Sequence, residues 1–358
     1  MRNERLEKIR QNMSERGIEQ LIIADPDSVF YLAEEWIHPG ERMMALYVNM
    51  NDKPTLVLNA LFPIEKDLGV EVVFYDDTEN PIDYLSKVIN LNQPLGIDKI
   101  WPSKFLINLM EQHPSLKVMN SSVAVDEARM VKTPEEIDLM RKASLINDQA
   151  MGELVELIKS ADHTELEAGQ LLGEIYKKYD THQFSFDPLI CYGKNAAEPH
   201  HGSDATPLGD NQSIIIDIGG ITNNYASDMT RSFFFGEPSE EYVKIYDLVK
   251  AANQAGIDMV KPGVKFSDID KAARSVIAEA GYGAYFTHRT GHNIGINVHE
   301  YPDVSATNDM VVREGMVFSV EPGIYLSGKY GVRIEDLVVV TENGCEVLNK
   351  YPKTLRCL

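Results

Sequence analysis

Only three cysteines, Cys191, Cys345 and Cys357, occur among the 358 residues, and no CxxC pair is among them. That excludes a disulfide framework and a cysteine-ligated zinc module, and it fits a reducing compartment. Long apolar runs are also missing. Stretches such as Ile214–Ile216 and Leu337–Val340 have strand length and fall far short of a bilayer span, so no membrane partner is expected. Positive charge is scarce: 34 Lys and Arg stand against 55 Asp and Glu, a formal net charge of −21 at pH 7. Such a chain repels nucleic acid and anionic lipid alike. The opening residues, MRNERLEKIRQNM, carry charge throughout and lack the apolar core of a secretory signal, so a cytoplasmic chain is expected. The acidic excess has a second meaning, because some of these carboxylates are placed to hold cations.

At this length two domains are expected, and the 44% apolar and 25% charged content matches a soluble globular enzyme. Residues 1–125 read as a small α/β unit. A helix over Asn3–Arg16 stops at Gly17, and a strand over Gln20–Ala24 is closed by a DPDS turn at Asp25–Ser28. Strands Met43–Met50 and Thr55–Asn59 flank NDKP as a hairpin. A strand at Val72–Tyr75 and helices near Pro81–Asn90 and Ser103–Glu111 complete an alternation that favours a mixed or parallel sheet. Residues 126–358 read as an α+β unit. Thr133 followed by Pro134 and Glu136 is a strong helix start, and similar signals at Thr164, Ser239 and Ser267 predict four long helices. Strands are expected at Ser213–Ile218, Thr230–Phe235, Met316–Glu321 and Gly331–Val340, with a hairpin turn at Asn343-Gly344.

Four carboxylates stand inside or beside these strands. Asp217 and Asp228 occur in IIIDIGGITNNYASDMTR, whose central turn sequence folds the second strand back beside the first. Glu321 and Glu335 occur in MVFSVEPGIYLSGKYGVRIEDLVVV. A carboxylate in an apolar strand costs several kcal/mol if buried alone, so it needs donors or cations. Plain ion pairs, Asp228 with Arg231 and Glu335 with Arg333, are the simpler alternative. A histidine cluster, FTHRTGHNIGINVHEYP, contains His288, His292 and His299. His288 and His292 have the spacing of a metal-binding helix, but Gly291 and Gly295 argue against that helix. Four carboxylates with His292 carry too much negative charge for one ion. Two divalent metals roughly 3.5–4 Å apart balance it. One nitrogen among oxygens suits manganese, with cobalt, iron or zinc as alternatives.

The motifs DIGG, ASDMTRS, HRTGHNIGINVHE, VEPGIY and VRIED, in this order, resemble the metal-dependent pita-bread peptidases: prolidase, aminopeptidase P and methionine aminopeptidase. The resemblance implies a pita-bread catalytic domain over 126–358, preceded by a creatinase/prolidase-like α/β domain over 1–125. It implies five metal ligands, Asp217, Asp228, His292, Glu321 and Glu335, with Asp228 and Glu335 bridging. Glu321 then also shuttles the proton. His299 and His200 match catalytic histidines, although His201 is adjacent to the latter, and His288 matches a substrate-pocket position. Asn293 stands where the family usually has glycine, and asparagine is expected to keep a left-handed turn there.

Arg289, Tyr325 and Arg333 are the remaining polar candidates around the substrate. Arg333 is expected to steady a bridging carboxylate, and Arg289 to take the free carboxylate of a dipeptide. The loop EEWIHPGERM, with Trp36 and His38, resembles the prolidase branch. In that branch such a loop closes the pocket of a homodimeric partner, which places His38 beside substrate. The implied function is hydrolysis of Xaa-Pro dipeptides. Aminopeptidase P activity on longer peptides with proline at the second position is the alternative. A non-enzymatic binding module on the same fold is disfavoured by the intact ligand set.

Overall fold

The computed structural model describes residues Met1–Leu358, which divide into two compact units, Met1–Arg129 and Met130–Leu358. The division at Arg129/Met130 falls within the last turn of the helix Val123–Met130. No helix is long and apolar enough to cross a membrane.

The first unit is built on a six-stranded mixed sheet. Gln20–Ile23 lies near its centre, antiparallel to Met44–Asn49 and parallel to Leu95–Ile97. The Met44–Asn49 and Thr55–Asn59 hairpin forms as expected. Two expectations fail locally. The DPDS turn is instead a helix start. Asp25 accepts from the backbone N–H groups of Asp27 and Ser28, and Pro26 opens the helix Pro26–Ala33. A cap and a turn share the same residue chemistry, so the local sequence does not separate them. The helix at Pro81 closes after Leu85, well short of Asn90. The strands Leu95–Ile97 and Val118–Asn120 carry too few residues to show periodicity.

The second unit packs helices against antiparallel sheets. Pro134–Ile158 and Glu165–Lys177 each begin with a capping box, formed by Thr133 with Glu136 and by Thr164 with Glu167. Glu240–Met259 starts at Ser239. The fourth helix, Phe266–Glu279, is capped at Lys265, which places Ser267 within its first turn. Leu154, Leu172 and Tyr176 of the first helix pair bury against Ile190, Ile214, Ile216 and Phe233 of a three-stranded sheet. Each fully buried aliphatic side chain there contributes about 1.5–3 kcal/mol, which offsets the charged groups buried on the same strands. The second helix pair covers the strands Val317–Val320 and Gly323–Leu326 in the same way. This is the pita-bread α+β arrangement, with the carboxylate-bearing strands at its centre.

Two strand details set the geometry of the acidic cluster. Gln212–Ile218 pairs antiparallel with Met229–Phe235, bringing Asp217 opposite Thr230. The excursion between them is a hairpin whose tip, Asn223 and Asn224, holds φ of 52° and 67°, the turn geometry asparagine tolerates. Gly331–Val340 is not one strand. Tyr330–Arg333 and Asp336–Thr341 belong to different sheets, and Ile334 and Glu335 form the break.

Candidate metal centre

Asp217 sits at the end of its strand, and Asp228 immediately precedes the partner strand. His292 lies in Gly291–Asn293, which pairs with the strand before Glu321. That approach is close: a Cβ at Gly291 would lie 1.9 Å from the carbonyl oxygen of Ser319. Glycine is therefore required beside the histidine. Glu335 sits in the strand break, where its backbone N–H donates to the Thr230 carbonyl at 3.1 Å.

These side chains meet. Asp228, His292 and Glu335 offer ligand atoms all within 4.8 Å of one another. The His292 Nε2 lies 3.5 Å from Asp228 Oδ2 and 3.4 Å from Glu321 Oε1. The His292 Nδ1 contacts the Asn293 carbonyl at 3.1 Å. A carbonyl only accepts, so Nδ1 carries the proton and Nε2 directs its lone pair into the space between the carboxylates, where a cation would take it. Ser319 Oγ accepts from the His292 N–H and donates to Glu321 Oε1. Thr230 Oγ1 donates to Glu335 Oε2 at 2.8 Å.

The alternative of simple ion pairs is not what forms. Arg231 is buried against Asp336 at 2.7 Å, not against Asp228. Arg333 turns away from Glu335: its Nη2 donates to Asp217 Oδ2 at 2.6 Å, Nε to Thr230 Oγ1 and Nη1 to the Tyr325 hydroxyl. The carboxylate Arg333 steadies is therefore Asp217, not one of the two expected bridges. Its nitrogens are engaged by protein, which fits support of the acidic cluster better than contact with substrate.

Three buried carboxylate oxygens, Asp217 Oδ1, Asp228 Oδ1 and Glu335 Oε1, have no hydrogen-bond partner. Burial, followed by repulsion from neighbouring carboxylates, pushes Asp228 and Glu335 well above the usual carboxylate range. Protein donors thus leave the cluster electrostatically incomplete, and an ion buried without compensation costs several kcal/mol. Oxygen-rich donors around one imidazole fit divalent cations, and the centre is a dinuclear divalent-metal site.

A cavity of about 530 Å³ opens onto the cluster, lined also by His200, His288, Arg289 and His299. Its size is that of a small-ligand site. His201 is not among its lining residues. The ring of His201 turns to Glu165 at 3.1 Å, so of the two adjacent histidines it is His200 that faces the cavity. The hydroxyl of Tyr325 contacts His288 Nε2 at 2.9 Å, and His288 Nδ1 donates to the Arg289 carbonyl. A continuous chain thus runs from Asp217 through Arg333 and Tyr325 to His288. Burial lowers the pKa of His288, and partial burial with the nearby His292 and Arg289 pushes His299 down to about 4. Both rings are neutral near pH 7.

Asn293 needs no left-handed turn. It lies in a strand without positive φ and donates to the Pro302 carbonyl at 2.8 Å. His38 is absent from the cavity lining. In the first unit it forms the exposed end of a ring stack, Phe30 on Trp36 at 4.2 Å and Trp36 on His38 at 5.6 Å. The sequence reading missed Phe186, Asp187, Leu189 and Pro199, which line the cavity. Phe186, Asp187 and Leu189 belong to a segment without clustered ionisable groups, and Pro199 is marked only by its place before the His200–His201 pair.

The chain matches the model of metallopeptidase family M24 over residues 138–342 and that of the creatinase/prolidase N-terminal domain over residues 5–131. It is 34% identical over 358 residues to an uncharacterised peptidase of Staphylococcus aureus, covering 98% of this chain and 99% of that one. Its fold superposes on a prolidase from Thermococcus sibiricus with a TM-score of 0.95 and 31% identity, covering 100% and 99% of the two chains. An X-Pro aminopeptidase from Thermotoga maritima gives a TM-score of 0.80 at 31% identity, covering 96% and 99%. With the metal centre intact and both family models spanning its two units, the chain belongs to the M24 metallopeptidases, as an enzyme carrying a creatinase/prolidase N-terminal domain.

Proposed function

We propose that this enzyme is a cytoplasmic, homodimeric Xaa-Pro dipeptidase that hydrolyses the imide bond before a C-terminal proline. The observation that carries this reading is one cavity of about 530 Å³ holding both the acidic cluster and the guanidinium of Arg289. Arg289 makes no hydrogen bond or ion pair with its side chain, while Arg333 is committed to protein groups. A free cation beside the cut bond suits the carboxylate of a dipeptide. The high TM-score with a prolidase supports the same substrate class. The net charge of −21 speaks against nucleic acid as a partner.

Asp217, Asp228, His292, Glu321 and Glu335 hold the two cations, with manganese as the proposed metal and cobalt, iron or zinc also compatible with the donors. When bound, these ions supply Lewis-acid activation of water and of the scissile carbonyl. The chain's own groups do the rest. Glu321 takes a proton from the attacking water and returns it to the departing proline nitrogen. Neutral His299 donates an N–H to the developing oxyanion, and His200 faces it from the other side of the same cavity. His288, held by Tyr325, and Arg289 orient the dipeptide, and Arg333 holds Asp217 in place. The Trp36–His38 ring stack is proposed to close the partner subunit's cavity.

The deciding assay offers manganese-loaded protein a dipeptide such as Ala-Pro and a tripeptide such as Ala-Pro-Ala. Dipeptide turnover well above tripeptide turnover is expected. Turnover of the tripeptide alone would establish an aminopeptidase P instead, and turnover of neither by protein with two bound metals would sink both enzyme readings.

A further inference from the structure

We propose that Glu165 is a positioning residue for His200, acting through the loop that carries it; the inference rests on the reading of His200 as a substrate-contacting histidine. Glu165 opens the helix Glu165–Lys177 and its side chain is fully buried. Its carboxylate accepts four hydrogen bonds, divided by oxygen. Oε1 takes the Tyr192 N–H at 2.6 Å and Asn195 Nδ2 at 3.0 Å, at the start of the loop. Oε2 takes His201 Nε2 at 3.1 Å and the Asp204 N–H at 3.1 Å, at its end. Pro199 and His200, which line the cavity, lie between these two attachments.

A buried carboxylate costs more than a neutral residue, so its retention calls for a specific reason. Only a carboxylate offers four acceptor sites on two oxygens and no donor, and all four partners here are N–H groups. The N-terminal end of the helix adds a favourable field. Glu165, His201 and Asp204 also have the spacing of a cation site. The Glu165 oxygens, however, face N–H donors on both sides, whereas the orphan oxygens of the metal centre face none. Hydrogen bonding, not coordination, is what this triad is built for. Anchoring both ends of a loop while its middle faces substrate fixes the reacting group, and misplacement of such a group by about 1 Å costs up to ~100-fold in rate.

The test compares Glu165→Gln, His201→Ala and His201→Gln with His200→Ala and the His200→Ala/Glu165→Gln double variant, all manganese-loaded. The readouts are kcat and KM for Ala-Pro, metal content, and amide exchange across residues 193–204 below the unfolding temperature. Glu165→Gln is expected to lower kcat ~10–100-fold with little change in KM. It should also speed exchange in the loop and leave two metals per chain. His201→Ala should show a smaller loss that His201→Gln, which restores an N–H donor, recovers. The double variant should be no slower than His200→Ala alone. Additive losses, unchanged loop exchange, or release of a third metal equivalent from the wild type by Glu165→Gln would each overturn the proposal. If His200→Ala keeps full activity, the catalytic reading of His200 fails, and with it the claim that Glu165 serves catalysis; loop exchange then shows only whether the anchor itself exists.

Discussion

Arg333 donates to Asp217 at 2.6 Å with both side chains nearly buried, 5% and 12% exposed. A buried cation thus sits inside the acidic cluster without neutralising it, since four carboxylates face one guanidinium. It steadies one carboxylate and leaves the rest to metal. Replacing Arg333 by lysine removes the fork that also reaches Thr230 and Tyr325. Metal affinity is expected to fall ~10–100-fold, measured as metal content after dialysis against graded manganese. Unchanged affinity would show that Asp217 needs no such support.

The orphan oxygens of Asp228 and Glu335 predict opposite effects of one substitution in two states. Asp228→Asn should abolish activity and lower metal stoichiometry, yet raise the melting temperature of the metal-stripped protein. It removes there a buried acid that must either bear a repelled charge or be kept protonated, and each kcal/mol is worth roughly 2–4 °C at this size. Calorimetry with and without manganese decides it.

The same groups set a pH dependence. Their folded pKa values lie above the ordinary carboxylate range, so the folded metal-free chain holds protons that the unfolded chain releases. The stability this linkage contributes is fully present below the ordinary carboxylate pKa and is lost as pH rises through the raised folded values. Metal-stripped protein is therefore expected to melt higher at pH 5 than at pH 8. Metal loading should remove or reverse that difference, because cations favour the ionised form.

Arg274 pairs with fully buried Asp270 at 2.8 Å and donates to the carbonyls of Phe286 and His288. It thereby ties the loop of His288 and Arg289 to the helix beneath. Arg274→Met leaves Asp270 without its cation, at a cost of about 3 kcal/mol. It should also raise KM for the dipeptide more than it lowers kcat. Loss of stability with KM unchanged would confine Arg274 to folding.

Arg289 separates the two peptidase readings. Arg289→Ala should raise KM for Ala-Pro by ~10–100-fold, the worth of a charge-assisted hydrogen bond, and affect Ala-Pro-Ala much less. Equal effects on both peptides would remove the C-terminal carboxylate from its role.

Much of the fold was legible in the chain itself. Capping residues announce the long helices at Thr133, Thr164 and Ser239, because a cap is satisfied within one turn. Asp217 and Asp228 announce a meeting point, because the NN turn between them returns the second strand to the first. Short strands at Leu95–Ile97 and Val118–Asn120 are silent, since they exist only through their neighbours in the sheet.

Residue types and local spacing determined the fold class, the acidic cluster with its one imidazole, and the need for cations. Tertiary structure decided the partners. Arg333 stands two positions from Glu335, yet the break between two sheets turns its guanidinium to Asp217. His200 and His201 are adjacent, yet one faces the cavity and the other a buried carboxylate. Spacing along a chain fixes which groups are available, while the geometry of distant strands and helices selects which of them meet, because contact energies act through space.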